Sequence, residues 1–531
     1  MKNSWFKYIF ILFAIGIFIF AFVKIRGDEE AKRKEELNSY NTQEERIKEI
    51  TLGISNFDTI NPILSNNQYV QDISRLLFEP LVNLSTDYKP EPALATEWAK
   101  QDATTYIIKL RENVKWSDGT ELNADDVQYT VDRLKMDTPS IYGQNVQPIE
   151  KLEVVDAHTI KIYLSREVPF FEYYLTFPIM SKKYYGSDDF KNTPKNSAPV
   201  TSGRYKISDV QSSVITLEKN KNWWNAEKIG LSLEKIHVNL YSSVGELYNS
   251  FKTGNIDILS TTNNSFSDHI GTIGYNYKEV RGREHNYVAL NTTSQFLSDV
   301  NVRKAIAACI DKSSITGNIY GGKYYTAYFP LEYGSYLYKG TPTKVDYNIE
   351  QGKQFLADSG WSFKYQNWQK TENYRTQKLV LNFVVKASNV TQVQTAENIT
   401  GQLEAQGIKV NLLRVSDEQY QNYKANKNYD MILCSTYLPI SPDLSSFFGE
   451  GNLANYTTDE INQILNEVKN TTDEKILLEK YARLEQIYNT EIPYISLNNG
   501  KLNVLYNSNL VGDVAPNWFS AFYNIEGWYK N

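Results

Sequence analysis

The sequence predicts an α/β protein built from two or three lobes. A chain of 531 residues exceeds the size that one hydrophobic core usually organises. Segments with the alternating pattern of strands are intermixed along the chain with segments that carry the 3.6-residue pattern of helices. The composition, 41% hydrophobic and 22% charged, is ordinary for a soluble globular protein. One N-terminal segment departs from that composition.

The exceptional segment is residues 1–26, which we predict to be a membrane anchor or a signal segment. Residues 8–23 carry no charge, and Trp5 and Lys24 can extend this apolar run to the two membrane interfaces. A cleavable signal usually offers small residues at its cleavage site, and residues 21–24 match that pattern poorly. We therefore favour an uncleaved single-pass helix, while cleavage stays open.

Residues 27–49 are predicted to form a charged stalk between this segment and the body of the protein. Acidic and basic side chains alternate there, and no glycine follows Gly27. Five basic residues follow the apolar run and two precede it, so the positive-inside count places the body in the cytoplasm. Because acidic residues weigh little in that count, charge alone leaves the orientation open.

One acidic stretch raises the question of a metal site or an acid/base centre. The stretch VKWSDGTELNADDV, residues 114–127, contains the carboxylates Asp118, Glu121, Asp125 and Asp126. The Asp118-Gly119 pair predicts a turn after a strand at 106–111. Asn123 predicts a helix N-cap, with the acidic pair in the first helical turn. The spacing does not fit an EF-hand, and we favour the structural interpretation. The helix is predicted to bury Val127, Val131 and Leu134.

Other patterns exclude several kinds of site. The histidines, His158, His237, His269 and His285, show neither metal-binding nor catalytic-triad spacing. Cys309 and Cys434 are too few for a disulfide framework. The net charge of −6 gives no electrostatic reason for nucleic-acid binding. We therefore predict no metal, no cofactor and no nucleic-acid partner.

The segment GNIYGGKY, residues 317–324, matches the GxxxxGK pattern of a phosphate-binding loop. Tyr324 stands where such a loop needs Ser or Thr to bind Mg²⁺. A helical pattern over residues 302–319 precedes the glycines, whereas a phosphate loop follows a strand. We interpret the glycines as the end of that helix.

Four segments, in this order, resemble one known family. They are YIIKLRENVKWSDGTELNADDVQYTVDRL (106–134), TSGRYKISDVQSSVITLEKNKNWW (201–224), YVALNTTSQFLSDVNVRKAIAACIDKSSI (287–315) and LLEKYARLEQIYNTEIPYISLNN (477–499). In order and spacing they closely resemble the extracytoplasmic solute-binding proteins of family 5. These proteins are the oligopeptide- and dipeptide-binding components of ABC importers. The resemblance runs from about residue 50 to the C-terminus.

The resemblance implies a bilobed periplasmic-binding-protein-like fold, of class II and cluster C type, with an extra lobe. The one transmembrane helix predicted from the apolar N-terminal segment precedes this fold and is a departure from the family. The resemblance also implies that the acids of residues 114–127 cap and turn the chain. Tyr287, Asn291 and Pro493 fall where the family places its hinge, about which the lobes close on a ligand. The implied lobes are a discontinuous lobe I (50–92, 199–283 and 494–531), an extra lobe II (93–198) and lobe III (284–493).

The sequence departs from the family where a peptide α-amine is expected to bind. Peptide-binding members place an aspartate in the loop after a Tyr-Asp-Met strand, and here that position falls at Leu438 or Pro439. Without a carboxylate a buried ammonium binds weakly, so Asp443 is the candidate substitute. The other candidate ligand contacts are Thr436, Tyr437 and Ser441, with Lys386 as a partner for a ligand carboxylate.

We therefore expect a membrane-tethered, extracytoplasmic substrate-binding protein of an ABC importer that performs no catalysis. It is expected to be monomeric and to bind a peptide or peptide-like solute. Its expected partners are the ABC permease subunits and, through the N-terminal helix, the membrane. For the side of the membrane on which the body lies, we follow the family resemblance rather than the count of basic residues. Two alternatives stay open: a ligand sensor that signals to a membrane partner, and a cell-surface hydrolase using the acidic stretch.

Overall fold

A computed structural model describes residues 46–136, 140–262, 270–271, 274–340 and 344–531. Lys48–Tyr529 form one compact unit. In the second unit, which comprises Met1–Ile47 and Lys530–Asn531, Ile47 and Lys530 pair as an antiparallel bridge. None of the helices in the described ranges has the length and apolarity needed to cross a membrane. The predicted anchor and residues 27–45 of the predicted stalk lie outside the described residues.

The strands are spread along the whole described chain. In order they are β1 (Glu49–Ser55), β2 (Val82–Leu84), β3 (Pro90–Pro92), β4 (Ala95–Lys100), β5 (Thr105–Leu110), β6 (Ile149–Asp156), β7 (Thr159–Leu164), β8 (Tyr205–Val210), β9 (Val214–Lys219), β10 (Lys235–Tyr241), β11 (Ile258–Thr261), β12 (Tyr275–Leu290), β13 (Tyr324–Thr326), β14 (Ser362–Lys364), β15 (Asn367–Glu372), β16 (Arg375–Lys378), β17 (Val380–Lys386), β18 (Lys409–Val415), β19 (Met431–Tyr437), β20 (Tyr494–Asn507), β21 (Leu510–Val511) and β22 (Tyr529–Lys530).

Helices alternate with these strands, as the mixed hydrophobic pattern predicts. The α-helices are α1 (Gln68–Leu77), α2 (Ala124–Met136), α3 (Gly143–Val146), α4 (Lys182–Tyr185), α5 (Val244–Lys252), α6 (Val300–Ala308), α7 (Lys312–Asn318), α8 (Ile349–Asp358), α9 (Val390–Ala405), α10 (Asp417–Asn426), α11 (Ser445–Phe448), α12 (Asp459–Val468) and α13 (Glu474–Glu491). Short 3₁₀ helices lie at Phe171–Leu175, Pro194–Ser197 and Ile525–Gly527.

Polar side chains begin many of these helices. The side chains of Asn67 and Ser243 accept hydrogen bonds from first-turn backbone N–H groups of α1 and α5. Ser416 and Gln419 form a reciprocal capping box at the start of α10. These bonds satisfy donors that the helix itself leaves unpaired, so local sequence decides where such helices begin.

Two four-stranded sheets lie in the first half of the chain. One has the order β1-β10-β9-β8, with β1 and β10 parallel. The other, β4-β5-β7-β6, is antiparallel throughout. The β8–β9 hairpin lies within residues 201–224, and β5 confirms the strand predicted at 106–111.

The largest sheet joins distant parts of the chain. Its strand order is β11-β20-β12-β19-β17-β18, and β13 pairs with β20. The two longest strands, β12 with 16 residues and β20 with 14, run antiparallel to each other. β17 and β18 are parallel because α9 connects them. The predicted lobe boundaries stay predictions.

This sheet is buried on both faces. Tyr287 and Ala289 of β12 pack into one hydrophobic cluster, and Val288 and Leu290 pack into another. Successive side chains of a strand point to opposite faces, so the two clusters lie on opposite sides of the sheet. Burial on both faces explains why β12 ends in an uninterrupted apolar run.

The acidic stretch folds as predicted. Gly119 has a φ of +84°, and the Asp118 carboxylate accepts a hydrogen bond of 2.9 Å from the backbone N–H of Thr120, which confirms the turn. α2 then begins at Ala124, directly after Asn123. The face predicted to be buried is buried at Val127, Val131 and Leu134.

The prediction of one helix over residues 302–319 is wrong. α6 ends at Ala308, and α7 begins at Lys312. The Asp311 side chain accepts a hydrogen bond of 2.9 Å from Ser314 N and so begins a new helix. Gly317 of the GxxxxGK match lies within α7, whereas Gly321 and Gly322 follow its end, where Gly321 has a φ of +58°.

Candidate functional site

Two adjoining cavities, of about 220 and 180 Å³, form the candidate site. Both are lined by Ile141, Asn145, Arg283 and Ile440, so the two cavities lie side by side. Small-molecule sites usually measure about 300–1,000 Å³. The two cavities together are large enough for a small solute.

The lining comes from parts of the chain that are far apart in sequence. The contributions are Arg75 from α1, Ile141 and Asn145 beside and within α3, Arg283 from β12, Glu332 from the loop between β13 and α8, Ile440 from the loop after β19, and Trp518 and Phe519 from the C-terminal segment. The fold therefore assembles this site from segments that the predicted boundaries assign to all three lobes.

Two arginines give the first cavity its positive charge. The Arg75 guanidinium lies 3.6 Å from the centre of the Phe519 ring, within the range of a cation–π contact. Arg283 Nε donates a 2.6 Å hydrogen bond to the Leu438 carbonyl oxygen, and Leu438 N donates one of 2.8 Å to the Arg283 carbonyl. Burial lowers the pKa of Arg283, and Glu332 opposes that shift.

Glu332 is the one acidic side chain among the described residues that line the first cavity. The residue is 7% exposed. Its Oε2 atom is buried and has no hydrogen-bond partner in the described part of the chain. Burial raises the pKa of the Glu332 carboxyl to about 8, against the attraction of Arg283 and Arg281. The carboxyl is therefore largely protonated at neutral pH.

The residues predicted from the loop after β19 lie in different surroundings. Ser441 is buried and lines the second cavity. Thr436 lies within β19 opposite His285 of β12. Tyr437, the last residue of β19, is 69% exposed. The structure brings Ser441 to the site, and the ligand contacts of all three residues stay predictions.

The two predicted ionic contacts, Asp443 and Lys386, have partners within the protein. Asp443 Oδ1 accepts hydrogen bonds from Ser445 N at 2.9 Å and Ser445 Oγ at 2.6 Å, at the start of α11. Lys386 Nζ lies 2.7 Å from Asp417 Oδ2, beside the start of α10. Each charge thus has a local structural role, and its role toward a ligand stays a prediction.

Leu438 and Pro439 stand where the family resemblance leads one to expect an acid. The Leu438 side chain is 1% exposed and packs in the hydrophobic cluster around Phe447 and Tyr494. Pro439 lines the second cavity. From this loop, the second cavity is therefore lined by the apolar Pro439 and Ile440 and by Ser441, and no acidic side chain of the loop lines it.

The three predicted hinge residues lie where β12, β19 and β20 meet. Tyr287 faces Cys434 of β19 and Ser496 of β20. Asn291 Nδ2 donates to the carbonyl oxygens of Lys427 and Tyr429, and the Pro493 carbonyl accepts from Leu290 N at 3.0 Å. These bonds tie together the ends of the three strands. Bending at this junction stays a prediction.

A buried polar seam runs between β12 and β20. His285 Nδ1 lies 3.0 Å from Asn499 Oδ1, and its Nε2 lies 3.2 Å from Ser496 Oγ. Burial lowers the pKa of His285 to about 4, so the ring is neutral near pH 7. The strand register shifts between Arg281 and His285. The pairing of the two long strands is therefore irregular next to this neutral polar seam, between Arg281 and His285.

Metal ligands do not converge in the described residues. No group of three or more His, Cys, Asp or Glu side chains able to hold a metal ion occurs there. Cys309 and Cys434 are free and buried. His237 lies 3.0 Å from Glu49, and His158 lies 3.6 Å from Glu121, so each of these histidines has one nearby carboxylate.

The charged residues of the first cavity, Arg75, Arg283 and Glu332, are not among the ligand contacts predicted from the sequence. One signal was present for Glu332, since it is the only acid in the aromatic segment YFPLEYGSYLY, residues 328–338. A carboxylate among apolar neighbours is rarely buried without a partner. Arg75 and Arg283 have no comparable signal, because they meet only through the tertiary fold.

Comparisons with known proteins agree with this fold. The family described as bacterial extracellular solute-binding proteins, family 5, matches residues 89–455. The chain is 26% identical over 456 residues to the periplasmic oligopeptide-binding protein OppA of Escherichia coli K12, covering 78% of this chain and 80% of OppA. It is 24% identical to the dipeptide-binding protein DppE of Bacillus subtilis 168, covering 91% of this chain and 92% of DppE.

A solved structure supports the same fold. HbpA2 from Haemophilus parasuis matches 91% of this chain and 100% of its own, with a TM-score of 0.73 and 21% sequence identity. At this identity the likeness concerns the fold alone. The predicted mixed α/β fold, similar to that of periplasmic solute-binding proteins, is confirmed.

Proposed function

The chain belongs to the bacterial extracellular solute-binding proteins of family 5, and we propose that it captures a peptide or peptide-like solute and delivers it to an ABC importer without catalysing a reaction. One observation carries this proposal: the paired cavities are lined from segments that the predicted boundaries assign to lobes I, II and III. A solute bound there contacts every lobe. Such contacts stabilise a closed state over an open one.

The chemistry of the cavities supports a peptide-like ligand. The arginines at positions 75 and 283 are suited to carboxylate groups, which guanidinium binds through paired hydrogen bonds. Trp518 and Phe519 add apolar surface. The relatives reported above are named for binding oligopeptides and dipeptides. A small zwitterionic solute with apolar parts matches this lining.

The proposal includes a bilobed architecture with an extra lobe, hinged near Tyr287, Asn291 and Pro493. At this junction β12 ends at Leu290 and β20 begins at Tyr494, and the register of the pair shifts close by, between Asn286 and Tyr287. A few residues at a register irregularity can absorb a rotation while the strand pairing on either side is kept.

Ligand binding is therefore expected to make the protein more compact. Small-angle scattering with and without a mixed peptide digest measures this change as a decrease in the radius of gyration. Calorimetry on the same samples shows whether peptide is bound. An unchanged radius in samples that calorimetry shows to be loaded contradicts closure.

The proposal places the body of the protein on the outer side of the cytoplasmic membrane, held by the N-terminal segment. A tether keeps a binding protein close to its permease and so raises the effective concentration of the complex. Protease added to intact cells is expected to digest the body, while a cytoplasmic marker enzyme stays intact. A body that resists digestion until the cells are lysed contradicts this orientation.

A further inference from the structure

Glu332 lies on a loop that neighbouring side chains hold firmly. Phe329, Leu331 and Leu337 of this loop are buried in one hydrophobic cluster, and Ser335 N donates a 3.1 Å hydrogen bond to the Glu332 carbonyl. The side chain lines the 220 Å³ cavity. The loop therefore keeps the carboxyl group at the cavity rather than releasing it to solvent.

The nearby arginines are held by other groups. Arg283 Nε is bound to the Leu438 carbonyl oxygen, and the Arg281 guanidinium lies 3.1 Å from the centre of the Tyr333 ring. Both attract the Glu332 carboxyl electrostatically, yet its Oε2 atom has no hydrogen-bond partner among the residues described. A buried carboxyl oxygen without a partner is costly, which is the situation expected of a group that awaits a ligand.

We propose that Glu332 binds a cationic ammonium group of the ligand, in place of the acidic side chain that Leu438 or Pro439 would otherwise provide. This inference rests on the proposed function and narrows the ligand to solutes that carry an amine. The Leu438 side chain faces the core, and Asp443 bonds to Ser445. Arg75 and Arg283 remain suited to the anionic end of the same ligand, so the cavity is complementary to a zwitterion.

The test compares ligands that differ only in their amines. The probe is a chymotryptic digest of casein, mixed in equal amounts with the same digest after acetylation of all its amines. Protein is incubated with the mixture and passed through a gel-filtration column. Mass spectrometry then gives the ratio of unmodified to acetylated peptides retained. This ratio does not depend on how much of a variant is folded.

Wild-type protein is expected to retain unmodified peptides over acetylated ones by at least about tenfold, since a charge-assisted hydrogen bond discriminates to this extent. The variant Glu332→Gln, which keeps the shape and removes the charge, is expected to reduce the ratio to about one. Glu404→Gln, on the exposed side of α9, is the matched control and is expected to retain the wild-type ratio. Glu332→Asp, a second variant that keeps the charge, is expected to retain part of the preference.

The pH dependence supplies an independent readout. The charged and titratable groups facing Glu332 are Arg281 and Arg283 of β12, Tyr88, and Arg75 across the cavity. Since the Glu332 pKa in the free protein is about 8, binding an ammonium below that pH must expel a proton. Affinity is therefore expected to rise as the pH rises towards 8, by at most about tenfold per unit. Above pH 8 the affinity is expected to fall, because a peptide α-amine has a pKa of about 7.7–8.0 and so loses its positive charge. Glu332→Gln is expected to lack the rise.

Each other outcome has a definite meaning. Retention of neither digest by the wild type contradicts the proposed function together with this inference. Equal retention of both digests, or an unchanged preference in Glu332→Gln, contradicts the inference and leaves the proposed function standing. If Asp443→Asn loses the preference while Glu332→Gln keeps it, the ammonium is held by the loop carboxylate at 443 and the inference is overturned.

Discussion

Replacing Gly203 by Ala is expected to destabilise the folded protein by about 3 kcal/mol or more. A Cβ atom at position 203 would lie 2.6 Å from the Leu76 carbonyl oxygen, 2.7 Å from Leu77 C and 2.9 Å from Phe78 N. All three are backbone atoms at the end of α1, so no side-chain rotation relieves the contact. The backbone itself must move.

That movement breaks the hydrogen bonds that hold the two segments together. Ser202 N and Gly203 N both donate to the Leu77 carbonyl, at 3.0 and 2.8 Å, and Glu79 N donates to Ser202 Oγ at 3.0 Å. Since these groups are buried, separating them leaves polar atoms unpaired. Position 203 therefore requires glycine, because the backbone at the end of α1 lies too close to leave room for a Cβ atom.

Urea unfolding at equilibrium measures the effect, with Gly230→Ala as the matched control. A Cβ at position 230 meets no atom within 4 Å, so this variant is expected to match the wild type within about 0.5 kcal/mol. Equal stabilities for the two variants contradict the close-contact argument.

Replacing Asp126 by Ala is expected to cost about 3 kcal/mol, because it leaves one buried and two part-buried donors without an acceptor at about 1–3 kcal/mol each. The Asp126 carboxylate accepts hydrogen bonds from Trp116 Nε1 at 3.2 Å, Asn123 N at 3.0 Å and Lys182 N at 2.7 Å. The residue is 4% exposed. One side chain thus joins the turn, the start of α2 and the start of α4.

Burial raises the pKa of the Asp126 carboxyl, and the hydrogen bonds that it accepts from Asn123, Lys182 and Trp116 oppose this rise. Asp126→Asn keeps an acceptor oxygen and is therefore expected to be milder than Asp126→Ala. The neighbouring variant Asp125→Ala is the control. The Asp125 and Lys182 side chains are each 52% exposed and pair at 2.8 Å, so its loss is expected to cost no more than about 1 kcal/mol.

Thermal and urea unfolding distinguish these variants. If Asp125→Ala is as damaging as Asp126→Ala, the acidic pair acts through charge at the helix start rather than through the buried hydrogen bonds. That result would favour the helix-dipole explanation for both residues.

Local features were predictable from the sequence because short-range interactions decide them. The turn at Asp118-Gly119, the buried face of α2 and the strand β5 each depend on residues within a few positions of one another. The break between α6 and α7 escaped prediction, although Asp311 is a good N-cap. The helical apolar pattern continues across the break, and a single capping residue is the only local sign that a new helix begins.

The sequence by itself determined that the chain is a mixed α/β protein, and its motif order indicated family 5. It also determined that the acids of residues 114–127 turn and cap the backbone, since their bonds are mostly local. Only the tertiary structure decided which charges share a cavity. Arg75, Arg283 and Glu332 are brought together by α1, by β12 and by the loop after β13, and no local pattern encodes that meeting. The tertiary structure likewise buried Glu332 and left Lys386 paired with Asp417, because burial and pairing depend on segments that are distant along the chain.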